Sequence, residues 1–137
     1  MIQLDKITKT IGPRRIIQET SLGIRKGEIF TLIGPSGSGK TTLIRLIDLL
    51  EWPTTGRIHF DGQDTAGSEK ERLAIRRRMG MVFQKPAVLN TTVAKNVAFG
   101  LNFRGVMVAE IQRKVQGALE LVGLPHYADR KAVTLSG

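Results

Sequence analysis

The sequence predicts an α/β fold in one domain, built around a phosphate-binding loop. Three observations predict it. Residues 34–42 read Gly34-Pro35-Ser36-Gly37-Ser38-Gly39-Lys40-Thr41-Thr42, they follow the apolar run Ile29-Phe30-Thr31-Leu32-Ile33, and they open a helical run rich in Leu and Ile. A strand, a Gly-rich loop and a helix in that order form an anion-binding unit.

The chemistry of the loop fits a triphosphate. Small residues in succession let backbone N–H groups turn inward around an anion, and the next helix points its unpaired N–H groups at the same place. Gly37 and Gly39 can take positive φ and let phosphate oxygens approach the backbone. Lys40 would reach the β- and γ-phosphates as a point charge, and the Thr41 hydroxyl would complete the coordination of Mg²⁺. The ligand expected is a nucleoside triphosphate with magnesium. The loop does not specify the base.

The elements follow in order. Ile2 and Leu4 alternate before Ile7 breaks frame, which predicts a short, bulged first strand, and Leu22 with Ile24 marks a second. Strands with one wet face predict antiparallel pairing. Lys26-Gly27-Glu28 reads as a turn, and the nearly continuous apolar stretch 29–33 as a parallel strand buried on both faces. The helix over 40–50 is too apolar for a surface helix and is predicted to pack against a sheet. Ile58 and Phe60 flank His59 in a short strand before Asp61-Gly62, and His59 is expected to face solvent. Residues 68–78 predict a short helix, and 79–83 a second buried strand ending at Gln84. A polar residue at the carboxyl end of such a strand stands where open α/β sheets bind ligands. In the stretch 109–122, Ile111, Val115, Ala118, Leu119 and Val122 form one apolar stripe, with Gly123 as its cap and Pro125 beyond.

Composition narrows the function classes. With 137 residues, 41% of them hydrophobic, there is material for one modest core. No stretch reaches the eighteen or so apolar residues of a membrane span, and Met1-Ile2-Gln3-Leu4-Asp5 has no signal-peptide pattern, so the chain reads as cytosolic. The absence of cysteine excludes disulfides and thiolate metal sites. The net charge of +9 raises nucleic acid as a partner. The basic residues are dispersed, however, and the run Arg76-Arg77-Arg78 lacks interleaved aromatics, so it reads as a solvated helix face.

The loop, Gln84, the run Thr92-Val93-Ala94-Lys95-Asn96-Val97-Ala98-Phe99-Gly100-Leu101 and the final Leu135-Ser136-Gly137 occur in one order. Together they closely resemble the first part of an ATP-binding subunit of an ABC transporter, over the whole chain. The resemblance implies a P-loop NTPase of ABC type with an antiparallel β-subdomain, the start of a helical subdomain and an incomplete sheet. The β-subdomain and phosphate-loop core would span about 1–85, and the Q-loop with the helical subdomain about 86–137.

Residue by residue, the resemblance implies that Gly34, Pro35, Ser36, Gly37, Ser38, Gly39, Lys40, Thr41 and Thr42 hold ATP. Gln84 matches the Q-loop glutamine, which touches Mg²⁺ and the attacking water. Pro86, Ala87, Val88 and Leu89 would lie near the groove for a helix of the membrane subunit, or pack beneath their own helical subdomain. Leu135-Ser136-Gly137 begins the signature motif, so Ser136 and Gly137 would contact the γ-phosphate held by a second ATP-binding subunit. The implied partners are transmembrane permease subunits, that second ATP-binding subunit and, indirectly, an extracytoplasmic solute-binding protein. The implied place is the inner face of the cell membrane, with no nucleic-acid partner.

Two departures stand out. Ile11 occupies the place where the family carries an aromatic residue to stack on adenine, so the π-stacking contribution is missing. The family's Walker B aspartate, water-activating glutamate and switch histidine all follow the signature, so this stretch is expected to be an amino-terminal fragment that binds nucleotide without hydrolysing it and is poorly stable alone. Importers of inorganic anions such as phosphate, tungstate or molybdate are the most similar, then importers of polar amino acids. The alternatives are an ABC-type ATPase acting on nucleic acid or the ribosome, and a short nucleotide-binding module that never hydrolyses.

Overall fold

A computed structural model describes residues 1–84 and 87–135. The chain divides into two compact units, Met1–Val82 and Phe83–Gly137.

The first unit is a four-stranded antiparallel sheet with two helices. Strands β1 (Ile2–Ile11), β2 (Arg14–Ile24), β3 (Thr55–Phe60) and β4 (Gln63–Asp64) lie in the order β2-β1-β3-β4. Antiparallel pairing is as expected from the one-sided alternation, but both leading strands are longer than the sequence pattern predicts. The ladder absorbs the frame break through register shifts between Leu4 and Ile7, Ile7 and Lys9, and Lys9 and Thr10. At the first, Lys6 takes a φ of 44° and donates its N–H to Ser21 Oγ at 3.0 Å, so the backbone group freed by the bulge stays satisfied.

Helix α1 (Lys40–Ile47) ends three residues before the predicted stop. Leu49 adopts a φ of 56° and is buried, so burying its side chain wins over continuing the helix. Helix α2 (Glu69–Arg76) starts at a capping box: Ser68 Oγ accepts from the Glu71 N–H while the Glu71 carboxylate accepts from the Ser68 N–H. The core joins Leu4, Ile7, Ile17 and Ile58 of the sheet to Leu43, Leu46, Leu49 and Ile75.

Neither apolar stretch expected as a buried parallel strand is one. Residues 29–33 and 79–83 enter no ladder among the described residues. Ile29 is 95% exposed, Ile33 88% and Val82 94%, the uncovered apolar faces expected of an incomplete sheet. A strand buried on both faces needs partners at both edges, and no described segment supplies them.

One smaller expectation changes, at His59, and the basic run, exposed at Arg77 and Arg78 as expected, gains partners within its own unit. His59 is half-buried, not solvent-facing, and its Nδ1 is buried without a partner among the described residues. Of the basic run, Arg76 donates to the Leu49 carbonyl at 3.3 Å, and Arg78 pairs with Asp61 and lies over the Phe60 ring at 4.6 Å. Two of the three cations are thus engaged within their own unit.

The second unit packs α3 (Val93–Phe103) against α4 (Val108–Leu121), with short 3₁₀ turns at Pro125–Tyr127 and Ala132–Thr134. Its core is Val93, Ala98, Ile111, Val115 and Leu119; Ala118 and Val122 fall outside it and are exposed. Gly123 ends α4 as predicted. With φ at 72° it donates to the Glu120 carbonyl, while Leu124 N–H reaches back to Leu119 O at 2.8 Å. That pair of bonds is a Schellman motif.

Candidate functional site

The phosphate loop joins the exposed stretch 29–33 to α1, and its own backbone shapes it. Gly37 and Gly39 have φ values of 79° and 92°. Both lie in the left-handed region where a Cβ is costly, and at Gly39 space forbids one as well. A Cβ there would stand 2.8 Å from Ile17 Cδ1 and 3.1 Å from the Ile16 carbonyl oxygen.

That close approach depends on β2. Lys9 pairs with Ile17 and Thr10 with Arg15, so Ile16 is the extra residue of a bulge. The bulge turns both Ile16 and Ile17 toward Gly39. Between β2 and the loop lies a cavity of about 430 Å³, walled by Ile16, Ile17, Leu32, Gly39, Lys40 and Leu43 among others.

The end of α1 is electrostatically open. Helices α2 and α3 carry side-chain caps, from Ser68 and Thr92. Helix α1 has Gly39 as its N-cap, no side-chain cap and no acidic residue in its first turn. Its first N–H groups and positive dipole end therefore remain available to an anion. Lys40 folds back across the loop, with Nζ donating to Gly34 O at 2.7 Å and Pro35 O at 2.6 Å. Ser38 Oγ stands 3.4 Å away. An ammonium has three donors: two short bonds to loop carbonyls fix its position, and the third, long bond to Ser38 Oγ is the one a phosphate oxygen could replace.

These residues fit a triphosphate: positive φ at Gly37 and Gly39, an uncapped helix and an anchored lysine converge on one anion position. The Thr41 side chain is exposed at the start of α1. Among the described residues no group of three or more His, Asp or Glu could by itself hold a metal ion. Magnesium at this place would take its remaining ligands from the phosphates and water.

Ile11 ends β1 opposite Arg14 across a two-residue turn, and is 54% exposed. Gly12, with φ at 56°, followed by Pro13 gives the φ signs of a type II′ hairpin turn. Gln84 is exposed at the start of the second unit, as are Ala87, Val88 and Leu89. Lys85, Pro86, Ser136 and Gly137 lie outside the described residues.

The family model for the ABC transporter matches residues 17–137. The chain belongs to the ABC transporter family. It is 42% identical over 132 residues to the phosphate import ATP-binding protein PstB 2 of Natronomonas pharaonis, a match covering 89% of this chain and 46% of that protein. It is 43% identical to the spermidine/putrescine import ATP-binding protein PotA of Aggregatibacter actinomycetemcomitans, over the whole of this chain and 36% of that one. The chain thus spans less than half the length of these relatives.

Among solved structures it matches the ATP-binding cassette MJ0796, determined as a dimer in a post-hydrolysis state bound to ADP and Pi. The TM-score is 0.85 at 32% identity, over 99% of this chain and 63% of that one. The cbiO1 protein of Clostridium perfringens, part of the cbiONQ transporter complex, matches with a TM-score of 0.88 at 27% identity, covering 98% and 55%. The ABC ATPase fold inferred from the motif order is therefore the fold of this ABC family member.

Reading the sequence missed two positioning elements. One is the β2 bulge, which only the observed register reveals. The other is Asn96: its Oδ1 accepts from Leu89 N–H at 2.8 Å, and its Nδ2 donates to Leu89 O at 3.1 Å and Thr92 O at 2.9 Å. Asn96 thereby clasps the segment following Gln84 onto α3. The signal was an amide four residues after the Thr92 cap.

Proposed function

We propose that residues 1–137 are the phosphate-loop part of an ATP-binding subunit that couples ATP binding and hydrolysis to solute import through a membrane partner. The observation that carries this reading is the uncapped start of α1 beside a Lys40 anchored by its own loop carbonyls. Its support comes from relatives named as import ATP-binding proteins.

The roles follow from the chemistry. Backbone N–H groups of 37–42 hold phosphate oxygens, and the Lys40 ammonium, exchanging its long bond to Ser38 Oγ for a phosphate oxygen, neutralises charge on the β- and γ-phosphates. The Thr41 hydroxyl orients on the Mg²⁺ side. When bound, the ion would draw negative charge from the phosphoryl group in flight. Gln84 would position the attacking water and report on the site to the permease. Ser136 and Gly137 would close on the nucleotide of a second ATP-binding subunit, so the working unit is a dimer at the inner face of the membrane.

Residues 1–137 alone would bind nucleotide without turnover, because orienting and deprotonating water needs a general base, which the family places beyond the signature. On the solute, an inorganic anion is the reading taken from the sequence motifs, while relatives named for phosphate, spermidine/putrescine and methionine import match at 42%, 43% and 41% and do not choose among these solutes. A subunit that never touches the solute carries little record of it. A nucleic-acid role is disfavoured by Arg76 and Arg78, whose guanidinium groups are engaged within their own unit.

Lys40→Ala in the complete subunit tests the reading. Triphosphate binding and ATPase activity should fall at least about a hundredfold. Unchanged ATPase activity would sink it.

A further inference from the structure

We propose that Ser38 is a positioning residue whose hydroxyl competes with phosphate for Lys40, and so sets how tightly the loop holds its anion and how readily it lets go. The inference rests on the triphosphate reading of the loop. Lys40 Nζ donates to three unequal acceptors: Gly34 O at 2.7 Å, Pro35 O at 2.6 Å and Ser38 Oγ at 3.4 Å. The two carbonyls belong to the backbone and fix the ammonium. The hydroxyl is the long, weak partner, and it turns on a single side-chain torsion.

The loop is built to place that hydroxyl. Gly34 has no left-handed φ, so its backbone conformation does not call for glycine. A Cβ on it would meet, among the described residues, only Ser38, with Oγ at 3.1 Å and Cβ at 3.9 Å. The side chain missing at Gly34 is therefore the room in which Ser38 Oγ stands. The Ser38 N–H also donates to Pro35 O at 3.3 Å, which turns residue 38 back over a carbonyl that Lys40 uses as well. A backbone turn, the space at Gly34 and the ammonium converge on one oxygen.

A phosphate oxygen that reaches Lys40 gains a charge-assisted bond and displaces Ser38, so the net attraction is the difference between two bonds. Ser38 lies on the exposed part of the loop, where water satisfies the displaced hydroxyl. When the anion leaves, Ser38 takes the donor back, which favours release. Removing the hydroxyl leaves only water to compete and should tighten the hold on the anion, whatever base a nucleotide carries.

The test measures binding of ATP and of inorganic triphosphate to the complete subunit and its variants. Ser38→Ala should bind both about two- to fivefold tighter than wild type, and the gain should vanish on a Lys40→Ala background, where no ammonium is shared. Ser38→Cys is close to serine in size but offers a weak sulfur acceptor, so it should shift affinity the same way without emptying the space beside Gly34. Weaker or unchanged binding by Ser38→Cys, or a gain that persists without Lys40, would overturn the assignment. If wild type binds inorganic triphosphate no better than Lys40→Ala, the loop reading itself fails and takes this one with it.

Discussion

A methyl group placed on Gly39 would stand 2.8 Å from Ile17 Cδ1, so the sheet reaches the phosphate loop with no room for a side chain between them. The contact exists because Ile16 bulges out of the β2 ladder and aims two isoleucines at one glycine. Gly39→Ala meets both this obstruction and a φ of 92°. It should destabilise the first unit by about 1–2 kcal/mol from the backbone alone and weaken triphosphate binding more than Gly37→Ala, whose Cβ would meet nothing. Denaturant midpoints and nucleotide titrations of the two variants check the order.

Arg72 is the largest fully buried side chain, and it acts as a staple. Its guanidinium donates to Leu49 O at 2.8 Å and Glu51 O at 3.2 Å and lies 3.4 Å from the Trp52 ring centroid, tying α2 to the chain leaving α1. Arg72→Ala should cost about 3 kcal/mol, since it removes hydrogen bonds to the Leu49 and Glu51 carbonyls as well as opening a hole. A urea midpoint within error of wild type would refute the staple.

The capping box at Ser68 sets a pH dependence. Hydrogen bonds from the Ser68 side chain and backbone hold the Glu71 carboxyl below the ordinary glutamate range. Its folded pKa is below the unfolded value, so its contribution is fully present above the unfolded pKa and disappears as pH falls through the folded one. Ser68→Ala should lower the melting temperature by a few degrees at pH 7, and the gap to wild type should narrow below about pH 4. Thermal melts across pH 3–7 measure it, and a gap that stays constant would rule out the carboxylate.

Gly56 shows how tightly β3 meets the β1 bulge. With φ at 83°, a Cβ there would come within 2.5 Å of the Asp5 carbonyl oxygen. Backbone on that side cannot rotate away as a side chain would. Gly56→Ala should therefore be among the most damaging single methyl additions in the first unit, read as loss of soluble expression or a collapse of the melting temperature, while Gly62→Ala should cost only the backbone strain at its φ of 79°.

The exposed apolar stretches predict the behaviour of residues 1–137 in isolation. Ile29, Ile33 and Val82 each expose nearly their whole side chain. Exposed apolar segments of this kind drive association between chains. The isolated stretch should bind a hydrophobic dye and aggregate on warming; a soluble monomer with a sharp cooperative melt would contradict this.

The sequence by itself determined what was local. The residues of 34–42 carried the anion site because glycine spacing, a lysine and a hydroxyl are properties of adjacent positions. Gly123 and Pro125 carried the end of α4 for the same reason. The motif order carried the family. Only the tertiary structure decided what depends on distant partners: that 29–33 and 79–83 enter no ladder among the described residues, since an apolar run becomes a buried strand only when neighbours flank it; that Leu49 leaves the helix to be buried; that Arg72 lies over Trp52. Above all, it decided why Gly39 must be glycine, because the isoleucines that press on it come from a bulge whose position is set by strand register.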